Sequence, residues 1–306
     1  MERECLMSQK IVSLMLVLAV CAYTAVAATK KTTPASSGRA EIAEKVKSPY
    51  LGAIVVDAAS GKVLFEDNAD EQGYPASVQK LMTLVVILDK VQQGAVKLDD
   101  SVQVTAEAAK TGGSQVYLDP KEKFPVEDLI YALMVQSAND AAVALATHVA
   151  GSKDAFVELM NAKAKEIGMK NTTFHSVHGL PPPADQRPDI TTARDLSLLA
   201  RDIVLKHPEA LKYTGTQKRG FRGDKFMMEN HDHLLTSYAG CDGLKTGYYK
   251  KAGYSIAATA SRNNSRVIAI VLGAAAGGSD PKHPNAARDA KATELLNKGF
   301  AALSAK

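Results

Sequence analysis

The chain reads as an α+β protein, with one antiparallel sheet built from both ends and a cluster of helices between them. Three observations predict this. Short β-prone runs bounded by turn residues lie near residues 51–66 and again near 253–273. The stretch between is dominated by apolar helix-forming runs with cap and stop residues. Strands at opposite ends of one chain bury their faces most simply by joining one sheet. The 306 residues, 46% hydrophobic, are enough for one sizeable globular unit.

Taken in order, Leu51–Asp57 and Lys62–Glu66 form a hairpin across Ala59-Ser60-Gly61. Pro75 precedes a helix running from Val78 to Gln93, which Gly94 stops. Leu81, Met82, Leu84, Val85, Val86, Ile87 and Leu88 make that helix apolar nearly all round, the pattern of a buried central helix. A second helix covers Pro125–Val135, with Glu127 and Asp128 in its first turn as the helix dipole favours. A third runs from Asp140 to Ala150 and ends at Gly151; Ser152 caps a fourth, which runs to Ile167. Thr192–Lys206 is helical and ends before Pro208. Strands at Gly253–Ala260 and Ser265–Gly273 are joined by Arg262-Asn263-Asn264, and a helix over Ala286–Leu303 closes the chain.

The first residues read as an export signal. Lys10 precedes an apolar run, Ile11–Val20, and Ala25-Val26-Ala27 offers small residues for cleavage. Glu2 and Glu4 are out of place in a basic leader and point to Met7 as an alternative start. Residues 1–27 are therefore expected to be a signal peptide and 28–45, rich in Lys, Thr, Ser and Pro near their start, a flexible linker. Residues 46–306 are expected to be the working domain. Cleavage after Ala27 removes Cys5 and Cys21 and leaves Cys241 alone, so no internal disulfide is expected. A net charge of +4 gives no reason to expect a nucleic-acid partner.

Three strings carry the chemistry: Ser77-Val78-Gln79-Lys80, Ser137-Ala138-Asn139 and Lys245-Thr246-Gly247. Each also occurs as a second copy, at Ser279–Lys282, Ser261–Asn263 and Lys110–Gly112, so setting must choose. Pro281 interrupts the second S-x-x-K, and no strand follows Lys110-Thr111-Gly112, which reads as a loop. Ser77 and Lys80, three apart at the start of a buried helix, share one face. A serine hydroxyl needs a base before it can attack. Lysine serves if neutral, and burial together with a second cation, Lys245, would lower its pKa. The alternative is a surface lysine, which the apolar surroundings disfavour. Ser137 and Asn139 lie at a short break between helices and could face a cleft, although on their own they read more readily as a helix cap. Lys245 and Thr246, before the returning strands, can hold an anionic terminus, and Gly247 lets a substrate backbone approach.

This ordered set resembles the signature of serine acyl-transfer enzymes acting on D-alanyl peptides and β-lactams. Pro75–Thr83, Ser137–Ala142, Met160–Leu180 and Asp242–Tyr248 are similar to segments of the D-alanyl-D-alanine carboxypeptidase family, the low-molecular-weight penicillin-binding proteins. The likeness runs from about Pro49 to Phe300. It implies the β-lactamase/penicillin-binding-protein transpeptidase-like fold, and a role for each matched residue. Ser77 is the implied nucleophile, Lys80 the general base, Ser137 the proton relay to the leaving D-alanine, and Asn139 a holder of Lys80 or of the substrate amide. Lys245 and Thr246 would bind the terminal carboxylate, and the Ser77 and Tyr248 N–H groups would form the oxyanion hole. The implied partners are the D-Ala-D-Ala end of the peptidoglycan stem peptide and β-lactams as covalent inhibitors. The implied place is the periplasm or cell-wall space.

The sequence departs from the family at Asn230-His231-Asp232, at Cys241, and at the stiff Pro181-Pro182-Pro183. Ending at Lys306, it is expected to lack the C-terminal β-rich domain and anchor helix of larger members. A cross-link endopeptidase uses the same residues and stays open as an alternative. A β-lactamase is disfavoured because no glutamate lies between Glu166 and Glu209 to speed deacylation. A non-catalytic wall-binding protein would not need Ser77, Lys80, Ser137 and Lys245 intact. His175-x-x-His178 and His231-x-His233 have metal-like spacing but lie in loops, so neither a metal nor any other cofactor is expected.

Overall fold

A computed structural model describes residues 49–275 and 284–305. The expected signal peptide, the whole of the expected linker and the Ser279–Lys282 string lie outside them. The first strands are β1 (Gly52–Asp57) and β2 (Val63–Asp67), followed by a 3-10 turn over Ala76–Gln79 and helix α1 (Lys80–Gln92). Strand β3 (Ser101–Gln103), helix α2 (Ala106–Ala109) and strand β4 (Lys123–Pro125) come next. Helices α3 (Val126–Met134), α4 (Asn139–Ala150), α5 (Lys153–Glu166), α6 (Ala193–Lys206) and α7 (Ala210–Thr214) complete the middle. Strands β5 (Lys218–Phe221) and β6 (Phe226–Glu229) and helix α8 (Leu234–Ser237) lead to β7 (Cys241–Tyr249), β8 (Gly253–Arg262) and β9 (Ser265–Ala274). Helix α9 (Ala286–Ser304) closes the chain.

The main sheet has five strands in the order β2-β1-β9-β8-β7, every pair antiparallel. The first strand pairs with the last, Gly52 opposite Leu272 and Asp57 opposite Val267, so both ends of the chain do build one sheet. The alternation of a strand explains the layers. Ile54, Val56, Ile268, Ile270 and Leu272 face the helical cluster. Ala53, Val55, Val267, Ala269 and Val271 face α9, through Leu295 and Leu296. The sheet is thus covered on both sides.

Helix α1 lies inside the cluster, with Lys80 to Leu88 all buried, as its apolar run predicts. The run does not begin as an α-helix, however. Ser77 and its neighbours wind as a tighter 3-10 turn entered through Ala76, which holds the left-handed φ of 49°. Ser152 and Thr192 cap α5 and α6 with their hydroxyls, accepting the amides of Ala155 and Asp195. Two small two-stranded sheets, β3–β4 and β5–β6, have no counterpart in the sequence reading. Their strands are three or four residues long and too short to show alternation.

Candidate active site

Ser77 is the second residue of the 3-10 turn that leads into α1. Lys80 Nζ lies 2.8 Å from its Oγ and donates to the carbonyl of His178 at 2.7 Å. Lys80 is fully buried. Burial is the chief force holding its amine well below the ordinary lysine pKa, and the Lys245 charge adds to it; Asp140 and Asp189 pull the other way.

The loop that supplies the His178 carbonyl is tied to α1 at three points. Gln79 Nε2 donates to the Ser176 carbonyl at 2.7 Å, and Thr83 Oγ1 donates to the Val177 carbonyl at 2.8 Å; Lys80 is the third. Asp189 stiffens the same loop by accepting the amides of His175 and Ser176 and the Ser176 hydroxyl. Gly179 (φ 82°) lies against the Ala76 carbonyl, where a Cβ would come to 2.0 Å. The unusual turn at Ala76 and the loop therefore fix each other.

Ser137 and Asn139 are brought to the same place. Ser137 is buried, holds a φ of 59° and lines the cavity that Ser77 opens into. Backbone held in such a region costs about 1–3 kcal/mol and collects at functional sites. Asn139 begins α4, and its Nδ2 donates to the Gly112 carbonyl at 2.7 Å rather than to Lys80. Its Oδ1 is buried without a hydrogen-bond partner. The discarded Lys110-Thr111-Gly112 copy is indeed a loop, but it packs beside the site. Asp140 anchors the segment after it by accepting the amides of Val116 and Leu118.

Lys245 and Thr246 are buried on β7, which is an edge strand of the sheet. A Cβ on Gly247 would come within 2.9 Å of the Ser77 and Val78 nitrogens, so only glycine lets β7 pass so close to the Ser77 turn. Asp242 pins the start of β7 through two 2.7 Å contacts with Arg266. Burial brings the Lys245 pKa down to about 7, with Asp232 resisting and Arg288 assisting. Asp232, fully enclosed, is pushed up to about 6 by burial, against the pull of Arg288.

The cavity is about 690 Å³, and Ser77, Ser137, Thr246, Tyr248, His231 and Arg288 are among the residues that line it. Arg288 was missed by sequence reasoning, and Asp232 was noted only as a departure from the family pattern, with no role. Arg288 arrives from the first turn of α9, more than forty residues past Lys245, and no local pattern marks it. His231 and His233 line the cavity too, and burial brings His231 down to about 4. No group of three or more potential metal ligands occurs among the described residues.

Sheet, buried helix and serine–lysine pair together define the α+β architecture of the penicillin-binding proteins. The chain belongs to the D-alanyl-D-alanine carboxypeptidase family (peptidase S11), whose model matches residues 40–276. It is 37% identical over 263 residues to the D-alanyl-D-alanine carboxypeptidase DacF of Bacillus subtilis (strain 168), covering 85% of this chain and 63% of that one. It is 40% identical over 241 residues to DacC of Escherichia coli (strain K12), covering 76% and 59%. The chain thus spans less than two thirds of either relative. Among solved structures, penicillin-binding protein D2 of Listeria monocytogenes in its ampicillin-bound form matches with a TM-score of 0.72 at 34% identity. That match covers 82% of this chain and 97% of the other.

Proposed function

We infer that the protein is a serine-type D-alanyl-D-alanine carboxypeptidase that removes the terminal D-alanine from peptidoglycan stem peptides through an acyl-enzyme on Ser77. The observation that carries this reading is the 2.8 Å contact between Ser77 Oγ and a fully buried lysine amine whose charged form is disfavoured. A neutral Nζ has one lone pair to take the hydroxyl proton and hydrogens to spare for the His178 carbonyl.

The terminal carboxylate is held by Lys245 and Thr246, with the buried guanidinium of Arg288 near. The scissile carbonyl then lies over the start of the 3-10 turn, where the N–H groups of Ser77 and Tyr248 receive the oxyanion. Ser77 Oγ bonds to the carbonyl carbon as its proton passes to Lys80. Ser137 relays a proton to the leaving nitrogen, the C–N bond breaks, and D-alanine departs. Asn139 holds the substrate amide. Water then adds to the ester and frees the shortened peptide. Penicillins enter the same site and stay on Ser77, a reading supported by the lack of any glutamate between Glu166 and Glu209 to speed deacylation. The family's substrate and the export-like N-terminus support work outside the cytoplasm, in the periplasm or wall space. No helix among the described residues is long and apolar enough to cross a membrane.

Labelling with a fluorescent penicillin tests the nucleophile, and Ser77→Ala is expected to lose the label by at least roughly a thousandfold. Equal labelling of the variant would refute the assignment. Release of D-alanine from a pentapeptide, compared with cleavage of a cross-linked dimer, separates the carboxypeptidase from the endopeptidase.

A further inference from the structure

A second cavity, of about 300 Å³, lies beyond the far end of β7, and its walls belong to none of the groups used above. Tyr74 and Tyr249 face each other across it with ring centroids 6.1 Å apart, and Pro181 and Pro182 close one side. Lys250 and Lys251 sit at its exposed rim, Lys251 with its ammonium 5.3 Å from the centre of the Tyr74 ring. Neither lysine is paired with a carboxylate among the described residues. The Tyr74 hydroxyl is buried and has no hydrogen-bond partner among them either. A buried polar atom without a partner, beside an aromatic groove rimmed by unpaired cations, is what a site for a polar, anionic guest looks like.

The direction of the substrate says which guest. This rests on the carboxypeptidase reading above. Edge strands such as β7 bind extended peptides alongside them. If the terminal carboxylate is at Lys245 and Thr246 and the scissile carbonyl is beside Tyr248, the peptide continues toward Tyr249 and the β7–β8 turn. Tyr249 and Lys250 lie three and four residues past Thr246, roughly 10–13 Å along an extended strand. The acidic residue of a stem pentapeptide, a γ-linked D-glutamate, lies three residues before its terminal D-alanine, a similar span. We propose that the Tyr74–Tyr249 groove is the subsite for the acidic arm of the stem peptide, and that Lys250 and Lys251 read the free carboxylate of that arm. Carboxypeptidase substrates would then be sorted by charge at a point distant from the bond that breaks.

The test is a cycle between protein and peptide charges, run in a Ser77→Ala background so that nothing turns over. Fluorescein-labelled pentapeptides carrying either γ-D-glutamate or its α-amide are titrated by anisotropy. The parent is expected to bind the acid roughly three- to tenfold more tightly than the amide, as for one or two exposed ion pairs. Lys250→Gln/Lys251→Gln should reduce that preference to less than twofold, and the parent's own preference should shrink between 50 and 300 mM salt by about a half or more. Because the two peptides are compared within each protein, a general loss of affinity cancels. A parent without a preference, or a double variant that keeps it, overturns the proposal. A preference for neutral glycan fragments over both peptides would do the same. D-alanine release by the unsubstituted protein is assayed separately. Its absence sinks the carboxypeptidase reading while leaving the binding cycle legible.

Discussion

In the proposed mechanism Lys80 must be uncharged to act and Lys245 must be charged to hold a carboxylate, yet the two are buried in one neighbourhood. Each is shifted downward mainly by burial, and Lys245 adds to the shift of Lys80. The signs follow directly. As pH rises through the depressed pKa of Lys80, the ammonium becomes an amine and acylation accelerates. As pH rises past about 7, Lys245 begins to lose its charge and carboxylate binding weakens. Acylation by a penicillin should therefore show a bell-shaped pH profile. Lys245→Gln removes the like charge, so the Lys80 pKa moves up and the acid limb shifts to higher pH, while the alkaline limb near neutrality disappears. The rate constant at the optimum should fall by roughly 10- to 100-fold, as for a lost charged hydrogen bond. Stopped-flow acylation from pH 5 to 10 measures all three effects, and an acid limb that stays put would show that the two amines do not interact.

At the scale of elements, the site is a set of loops clamped to one helix. The 175–179 loop gives Lys80 its second partner, and Gly179 is the point where it touches the Ser77 turn. Gly179→Ala puts a methyl against the Ala76 carbonyl and imposes a strained φ on a residue with a Cβ. We expect a loss of about 1–3 kcal/mol, read from the urea midpoint, and a slower acylation of Ser77 because Lys80 loses its fixed acceptor. Unchanged acylation would mean that the loop does not orient the amine. Much of this level was legible in the sequence. The S-x-x-K run, the cap at Ser152, the helix beginning at Thr192 and the strands around Asn263 were visible because local chemistry dictates them. Contributions from distant backbone were not: the His178 carbonyl is an atom every residue possesses, and nothing in its side chain advertises it. Nor could Asn139 be assigned to Gly112 rather than to Lys80, because both partners are reached only through tertiary packing.

Across the whole molecule, the two faces of the sheet divide the labour. The inner face carries the serine–lysine helix, and the outer face carries α9 with Arg288 at its start. Gly299 allows the close approach of α9, since a Cβ there would lie 2.5 Å from Val267 Cγ1 and 2.9 Å from Val55 Cγ2. Gly299→Leu should lever the helix outward and destabilise the fold by about 1–3 kcal/mol. That corresponds to a fall of several degrees in a thermal melt, at roughly 2–4 °C per kcal/mol. A melting point that does not move would mean that the helix is not seated against the sheet as closely as described. The sheet itself was foreseeable from β-prone runs at both ends of the chain, but its strand order depends on which runs meet.

The pairing of β1 with β9 also sets a timetable. On the ribosome, β1 emerges early and waits until nearly all of the remaining chain has been made before its neighbour exists. Such distant pairings close slowly. The serine and its lysine are both present long before the cationic strand that completes their pocket. A nascent chain of this design carries its reactive alcohol through most of synthesis in a harmless form, and becomes capable of attack only as the last pieces are laid down.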